Sequence, residues 1–411
     1  MRFLLILFVL CSNLSPAVAR VIIAGKGQAI TSLRQAVRMA GPGDTIILKS
    51  GIYKEGNIYL TRPLTLQGET NTILDGQKKT ELITISGKNI VVKNIIFQNA
   101  GYSSLNDFAS IKIVDAEQVT VEGNTILNSF FAIHVSNARH FRILNNKISG
   151  TPTSEQLTGN GIHLWKCQNA LIEGNHVQGH RDGIYFEFVT ESVIRKNLSE
   201  KNIRYGLHFM FSHNDHYIAN TFARNGAGVA VMYSKKVRME FNHFEENWGA
   251  SSYGILLKEI SDSYISQNTF LKNTVGIYME GSSRIDIRKN AFKNNGWALK
   301  VQASCDDNDF RQNNFHGNSF DVATNGTRSL NKFYNNYWDK YEGYDLNRDG
   351  FGDVPFHPVS MYAMVVEQNP TTLILMRSFM VSLMDKAEKA IPSLTPENLV
   401  DDKPTMKPNK I

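Results

Sequence analysis

Short alternating runs such as Ile83-Thr84-Ile85 and Ile111-Lys112-Ile113 recur along the chain between turn residues, with every second side chain apolar. A period of two predicts strands with one buried face. These runs keep a longer register. Asn124, Asn146, Asn175, Asn197, Asn220, Asn242, Asn268, Asn290 and Asn313 follow one another at 22 or 23 residues, with two longer steps of 29 and 26. Gly161-Ile162, Gly183-Ile184, Gly206-Leu207, Gly228-Val229, Gly254-Ile255 and Gly276-Ile277 form a second ladder in step with the first. Two interleaved ladders at one period near 22 predict an all-β, right-handed parallel β-helix. Each coil buries its apolar side only by stacking on the next, at about 4.8 Å per rung, and turn asparagines bond from coil to coil. The two long steps mark insertions at Ser149 to Asn160 and Gly249 to Tyr253, expected to protrude.

The ends depart from this pattern. Arg2, the apolar run Phe3 to Leu10 and the small residues Ala17-Val18-Ala19 predict a cleaved signal peptide over residues 1–19, hence an exported protein. Thr31 to Ala40 has helical spacing behind a Thr or Ser N-cap and predicts a helix over the open first coil. The solenoid is expected over 20–340, with a turn-rich segment at 341–360 closing it. A helical tail follows over 361–400, whose core, Pro370 to Ile391, reads as one amphipathic helix; 401–411 is rich in Pro and Lys and reads as disordered. Its Met and Leu content suits a lid on the solenoid or docking on a membrane permease.

Alternation also assigns faces. One and three residues after each ladder glycine stand Ile162/Leu164, Ile184/Phe186, Leu207/Phe209 and Val229/Val231, which point inward. The second and fourth positions then face out: His163 and Trp165, Tyr185 and Glu187, His208 and Met210, Ala230 and Met232, with His134 at the matching place one coil earlier. Met210 and Met232 should lie about 5 Å apart on neighbouring rungs, with His208 about 7 Å along the strand. Thioether and imidazole ligands favour Cu(I), so His134, His163, His208, Met210 and Met232, with His213 and His216 in the following turn, are candidate copper ligands. The plainer reading is an exposed face that binds protein or sugar.

Asp345, Asn347, Asp349 and Asp353 occupy positions 1, 3, 5 and 9 of a calcium-type loop with Gly350 at 6, but Phe356 stands where the bidentate Glu belongs. Calcium is thus a second metal candidate, against a plain Asp and Gly turn. Parallel β-helices also carry polysaccharide lyases, epimerases and hydrolases. The candidate acids and bases for that alternative are Asp182 and Glu187 with His180, Arg181 and Tyr185, whose spacing does not by itself exclude the roughly 6.5–9.5 Å of inverting hydrolysis. No further acids cluster on the neighbouring rungs, which carry Trp165, His163, His208 and Met210; Asp306-Asp307 reads as a solvated corner. A net charge of +6 over 411 residues argues against a nucleic-acid binder and leaves an acidic partner surface open. Cys167 and Cys305 stand several coils apart and are not expected to pair.

The strings Arg181-Asp182-Gly183-Ile184-Tyr185, Arg204 to Ser212 (RYGLHFMFS), Gly228 to Ser234 (GVAVMYS), Asn247-Trp248-Gly249 and Asn294 to Ala298 (NNGWA), with Tyr341 to Asp345 (YEGYD), Asp353-Val354-Pro355, Pro358-Val359-Ser360 and Ile391 to Glu397 (IPSLTPE), resemble the NosD family. The resemblance covers nearly all of the mature chain, including its non-repeating tail. It implies a non-catalytic periplasmic accessory protein held at the inner membrane by an ABC permease, NosY, with its ATPase, NosF. It further implies work with the copper chaperone NosL in maturing the multicopper centre of nitrous oxide reductase.

Overall fold

A computed structural model describes residues 19–102, 107–326, 330–390 and 399–411. The expected signal sequence, up to residue 18, lies outside the described residues, as do residues 391–397 of the last family-like string.

The repeats wind into a solenoid of three parallel sheets. The first has 14 strands and begins at Val21–Ala24, the second has 13 and begins at Gly51–Tyr53, and the third has 12 and begins at Ile58–Leu60. Each coil visits them in that order, and every pairing between named strands is parallel and joins neighbouring coils; Thr120, for example, pairs with Arg142 and Arg142 with Leu171. The interior is one continuous apolar core. On the second sheet it contains a stack of rings, Phe222, Phe244, Phe270, Phe292, Phe315 and Trp338, whose centroids are separated by 5.5, 4.8, 4.8, 4.9 and 4.0 Å. Each such ring removed from water contributes about 1.5–3 kcal/mol, so the side chain that repeats once per coil is also the one that fastens the coils together.

The asparagine ladder sits at the corner between the first and second sheets. Asn220 shows the unit: its Oδ1 accepts from Asn197 N at 3.0 Å and Asn197 Nδ2 at 2.9 Å, while its own N and Nδ2 donate to Asn242 Oδ1 at 2.9 and 3.0 Å. A second ladder, unread in the sequence, runs along the corner between the second and third sheets through Asn202, Asn225, Asn247, Asn273, Asn295 and Asn318. The glycine ladder has a steric cause. A Cβ on Gly228 would stand 2.4 Å from Gly254 O, and a Cβ on Gly254 2.6 Å from Gly276 O, so no side chain fits where the third-sheet strands begin.

Helix α1 (Leu33–Met39) covers the first coil, capped as expected by Ser32, whose Oγ accepts from Gln35 N at 3.1 Å. The C-terminal region differs from the expected single amphipathic helix. Helix α2 (Met361–Gln368) starts at the cap Ser360, a 3-10 turn spans Pro370–Leu375, and helix α3 (Phe379–Ala390) follows. Within the expected span the break falls at Met376 to Ser378, where Arg377 takes φ 70° and the chain turns back, making a hairpin. Residues 401–411 are not disordered. Asp401 and Thr405 pair with Phe356 and Phe351, and Asn409 exchanges hydrogen bonds of 2.8 and 2.9 Å with Asn314. Composition misleads there because the order comes from pairing with residues 45 to 95 positions earlier. Asp401 closes the asparagine ladder, its Oδ2 accepting from Asn336 N, Asn336 Nδ2 and Trp338 Nε1 at 3.1, 2.9 and 3.0 Å. Cys167 and Cys305 are both free and buried.

Candidate functional site

The insertions fall at the corner where the second sheet passes to the third. The first, after the strand Lys147–Ser149, only partly protrudes: Thr151 to Thr153 and Glu155 to Leu157 are exposed, but Thr158, Gly159 and Asn160 tuck back under the coil. There Gly159 O accepts from Arg181 N at 2.9 Å and Glu155 meets Arg204 at 3.4 Å. The second insertion leaves Trp248 to Ser251 exposed. Both border the outward face of the third sheet.

On that face the register sets Lys112, His134, His163, Tyr185, His208, Ala230 and Leu256 in one column. Ser136, Trp165, Glu187, Met210, Met232 and Lys258 form the column beside it. The histidines are less exposed than outward positions suggest, His134 being 7% and His208 5% accessible. Long neighbours cover them: Phe131 packs edge-on to His134 and to His163, both at 5.2 Å, and Tyr205 lies 4.9 Å from His208. Burial holds the imidazoles neutral, with His134 lowered to about 4, His163 to about 3 and the fully enclosed His180 to about 4.

Neutral imidazoles are metal ligands in principle, but their arrangement here is unfavourable. The rings of His134 and His163 stack at 4.8 Å and 18°, so their in-plane lone pairs run nearly parallel and do not converge on one ion. His208 Nδ1 lies 2.9 Å from Arg204 Nη2. Arginine only donates, so Nδ1 accepts and the ring proton sits on Nε2, which is buried without a partner. His213 lies on the next corner, where its Nδ1 accepts from Lys235 N at 3.3 Å. His216 belongs to the first sheet, with Nε2 2.8 Å from Glu240 Oε2. The structure therefore does not gather the seven candidates into one site. Among the described residues no group of three His, Cys, Asp or Glu side chains is placed to hold a metal ion.

What the register does bring together is the thioether pair. Met210 and Met232 are direct partners on adjacent strands, both partly exposed, and Tyr185 Oη lies 4.0 Å from Met210 Sδ. Next to them runs a feature the sequence reading missed. Phe188, Phe211 and Tyr233 are exposed at the corner leading to the first sheet and stack at 5.3 and 5.0 Å with interplanar angles of 12°. The same corner position is polar or glycine on the flanking rungs, Asn137 and Lys166 before, Glu259 and Gly281 after. The signal was available: each aromatic follows Glu187, Met210 or Met232 directly in sequence. Three rungs thus carry a contiguous patch of thioethers and rings, an exposed apolar surface of the kind that marks a binding site.

The carboxylates proposed for polysaccharide chemistry do not assemble. Asp182 and Glu187 stand at opposite ends of one strand, about 16 Å apart along its backbone, beyond the inverting range. Asp182 is fully buried and gripped by Arg204 at 3.0 and 2.9 Å. Burial alone would raise its pKa, but the hydrogen bonds and positive charge around it lower it on balance, with the Arg204 guanidinium on both oxygens, so it stays an ion-paired carboxylate. In the segment from Asp345 to Asp353 the Asp345 carboxylate accepts from Asp349 N at 3.1 Å and Gly350 N at 2.9 Å, Asn347 Oδ1 from Asp349 N at 3.0 Å and Asp353 Oδ2 from Leu346 N at 2.6 Å. These bonds shape a tight turn with Gly350 at φ 89°.

A family described as periplasmic copper-binding protein (NosD) matches residues 144–348, the stretch that contains the thioether pair and the aromatic ladder. Proteins named probable ABC transporter binding protein NosD are similar to this chain along its length: that of Stutzerimonas stutzeri is 27% identical, covering 88% of this chain and 86% of the relative, and that of Pseudomonas aeruginosa is 28% identical, covering 88% and 87%. The family match and the relatives together support a NosD-family protein. A family of unknown function also matches residues 23–237. Among solved structures, the catalytic unit of a thermostable α-1,3-glucanase of Streptomyces thermodiastaticus superposes with a TM-score of 0.59 at 14% identity, covering 79% of this chain and 67% of that one. That likeness shows the fold alone, and NosD relatives and a glucanase sharing it means the solenoid itself does not choose a function. Among the described residues no helix is long and apolar enough to cross a membrane.

Proposed function

We propose that this chain is a periplasmic assembly factor that takes Cu(I) as cargo at Met210 and Met232 and works beside an ABC transporter at the inner membrane. Its destination on this reading is the multicopper centre of nitrous oxide reductase, with NosL as donor and NosY and NosF as permease and ATPase. The observation that carries the reading is the register pair Met210–Met232, partly exposed and bordered by stacked rings, within the stretch matched by a copper-binding family. The relatives' names support an ABC transporter as partner and an accessory rather than catalytic role.

Two thioethers suit a carrier better than a store. They are soft ligands that favour Cu(I), and they leave coordination positions open for an incoming or departing partner's ligand. They do not titrate near neutrality, so affinity does not depend on removing a proton from the site. The ladder Phe188, Phe211 and Tyr233 borders the pair on one side. His208 stays beside it as the member of the buried Arg204–Asp182 network that fixes the strand. In the proposed division of the chain, residues 20–340 present the copper patch, 361–400 reach the permease, and the turn at Asp345–Asp353 is a calcium candidate.

The test is a Cu(I) titration of the purified mature protein against a competing chelator. Met210→Leu with Met232→Leu keeps bulk and removes both sulfurs. Affinity should fall at least tenfold while the unfolding midpoint stays put; unchanged affinity would contradict the assignment.

A further inference from the structure

We infer that Glu187 draws Cu(I) to the thioether pair and offsets its charge while it is bound. The inference rests on the copper reading and adds the group that reading lacks, since two neutral thioethers leave the cargo's positive charge uncompensated.

The carboxylate stands beside the pair. In the outward column of the third sheet Glu187 pairs in register with Met210, as Met210 does with Met232, so it lies one rung, about 5 Å, from the nearer methionine. Tyr185 joins the two. Its Oη donates to Glu187 Oε2 at 3.4 Å and lies 4.0 Å from Met210 Sδ, so one hydroxyl reaches both the carboxylate and the sulfur. Glu187, Met210 and Met232 are all partly exposed, and a cation arriving from solvent meets the acid and the thioethers on the same face.

The carboxylate is also unpaired. On other rungs acids are held by cations: Glu173 by Arg195 at 2.8 Å, Glu240 by His216 at 2.8 Å and Asp286 by Arg311 at 2.7 Å. Among the described residues no Lys, Arg or His forms an ion pair with Glu187, whose one side-chain hydrogen bond comes from Tyr185. The lysines on nearby rungs are turned elsewhere, Lys166 Nζ lying over the Trp165 ring at 4.2 Å and Lys258 Nζ 3.3 Å from Glu280. Arg204 is taken by Asp182 at 3.0 and 2.9 Å. A chain of net charge +6 repels a cation at long range, so a local free carboxylate decides where one arrives.

The experiment is a competitive Cu(I) titration of the full mature protein in nitrate salts. Glu187→Gln keeps the shape of the side chain and removes its charge; Glu122→Gln, on the first sheet, makes the same change of net charge away from the pair. Glu187→Gln should weaken affinity at least about fivefold, the size of a Coulomb attraction across about 5 Å near a protein surface. Glu122→Gln should match wild type, and both variants should keep the wild-type unfolding curve. The gap between Glu187→Gln and wild type should narrow as the Debye length falls from about 30 Å to about 3 Å between roughly 0.01 and 1 M salt. A loss caused by altered shape would not respond to salt. Equal affinity of Glu187→Gln and wild type at low salt, a loss that salt leaves unchanged, or the same loss in Glu122→Gln would overturn the inference. Met210→Leu with Met232→Leu, run alongside, separates the two failures. Binding lost in that double variant but untouched by Glu187→Gln leaves the copper reading standing without this residue, whereas binding intact in the double variant removes the reading and this inference with it.

Discussion

Two buried side chains show how single residues set the stability of the solenoid. Asp401 ends a ladder whose every other member is asparagine, and it receives three donors from the last coil. Asp401→Ala leaves buried N–H groups without partners, at about 1–3 kcal/mol each, whereas Asp401→Asn keeps an acceptor. Chemical denaturation should therefore show a loss of at least about 3 kcal/mol for the first variant and less than about 1 kcal/mol for the second. His180 acts through protons instead. It is enclosed under the first insertion with both ring nitrogens unpartnered, and burial lowers its pKa from 6.5 to about 4. The unfolded chain takes up a proton below pH 6.5 while the folded chain does not until about 4, so its contribution is intact above 6.5 and declines with acid across that window. Relative to His180→Leu, wild-type stability should fall by about 1.4 kcal/mol per pH unit there. His134 and His163 add to the wild-type slope, and the buried Asp215 and Asp401, whose carboxyls are pushed up, oppose it; comparison with the variant isolates His180.

At the scale of elements, what was legible in the sequence was whatever the repeat enforces. The alternation placed Ile162, Ile184 and Leu207 inside and His163, Tyr185 and His208 on the outer face, and the strand pairing follows the same register. Burial of that outer face was not legible, because rings such as Phe131 and Tyr205 from the same strands and the end of the first insertion cover it, and a periodicity does not describe how neighbouring side chains lean. The lone pairs of His134 and His163 failed to converge for a related reason: stacking on successive rungs makes rings parallel. The end of the chain was misread because its order is entirely long-range. Among the methionines of the hairpin, Met376 packs against the buried cluster whereas Met380 faces outward. Met380→Lys should therefore leave cooperative unfolding unchanged and reduce co-purification with the ABC permease, whereas truncation after Ser360 removes α2 and Asp401 together and should lower the unfolding midpoint. Full capture of Met380→Lys by the permease would leave this edge of the hairpin with no part in docking.

Considered whole, the molecule is a rod with one specialised face. Insertions border the third sheet on one side, an aromatic ladder borders it on the other, the helical hairpin covers its C-terminal end, and the thioether pair lies in the gap between them. The hairpin packs against the same sheet that carries Met210 and Met232, so a load on the hairpin is passed along that sheet's hydrogen-bonded rungs. The central functional claim is that Cu(I) is held by those two sulfurs. X-ray absorption at the copper edge of the protein loaded with one equivalent of Cu(I) tests it most directly. The account predicts sulfur scattering that disappears in the Met210→Leu, Met232→Leu double variant; a nitrogen and oxygen shell that is the same in both proteins would contradict it.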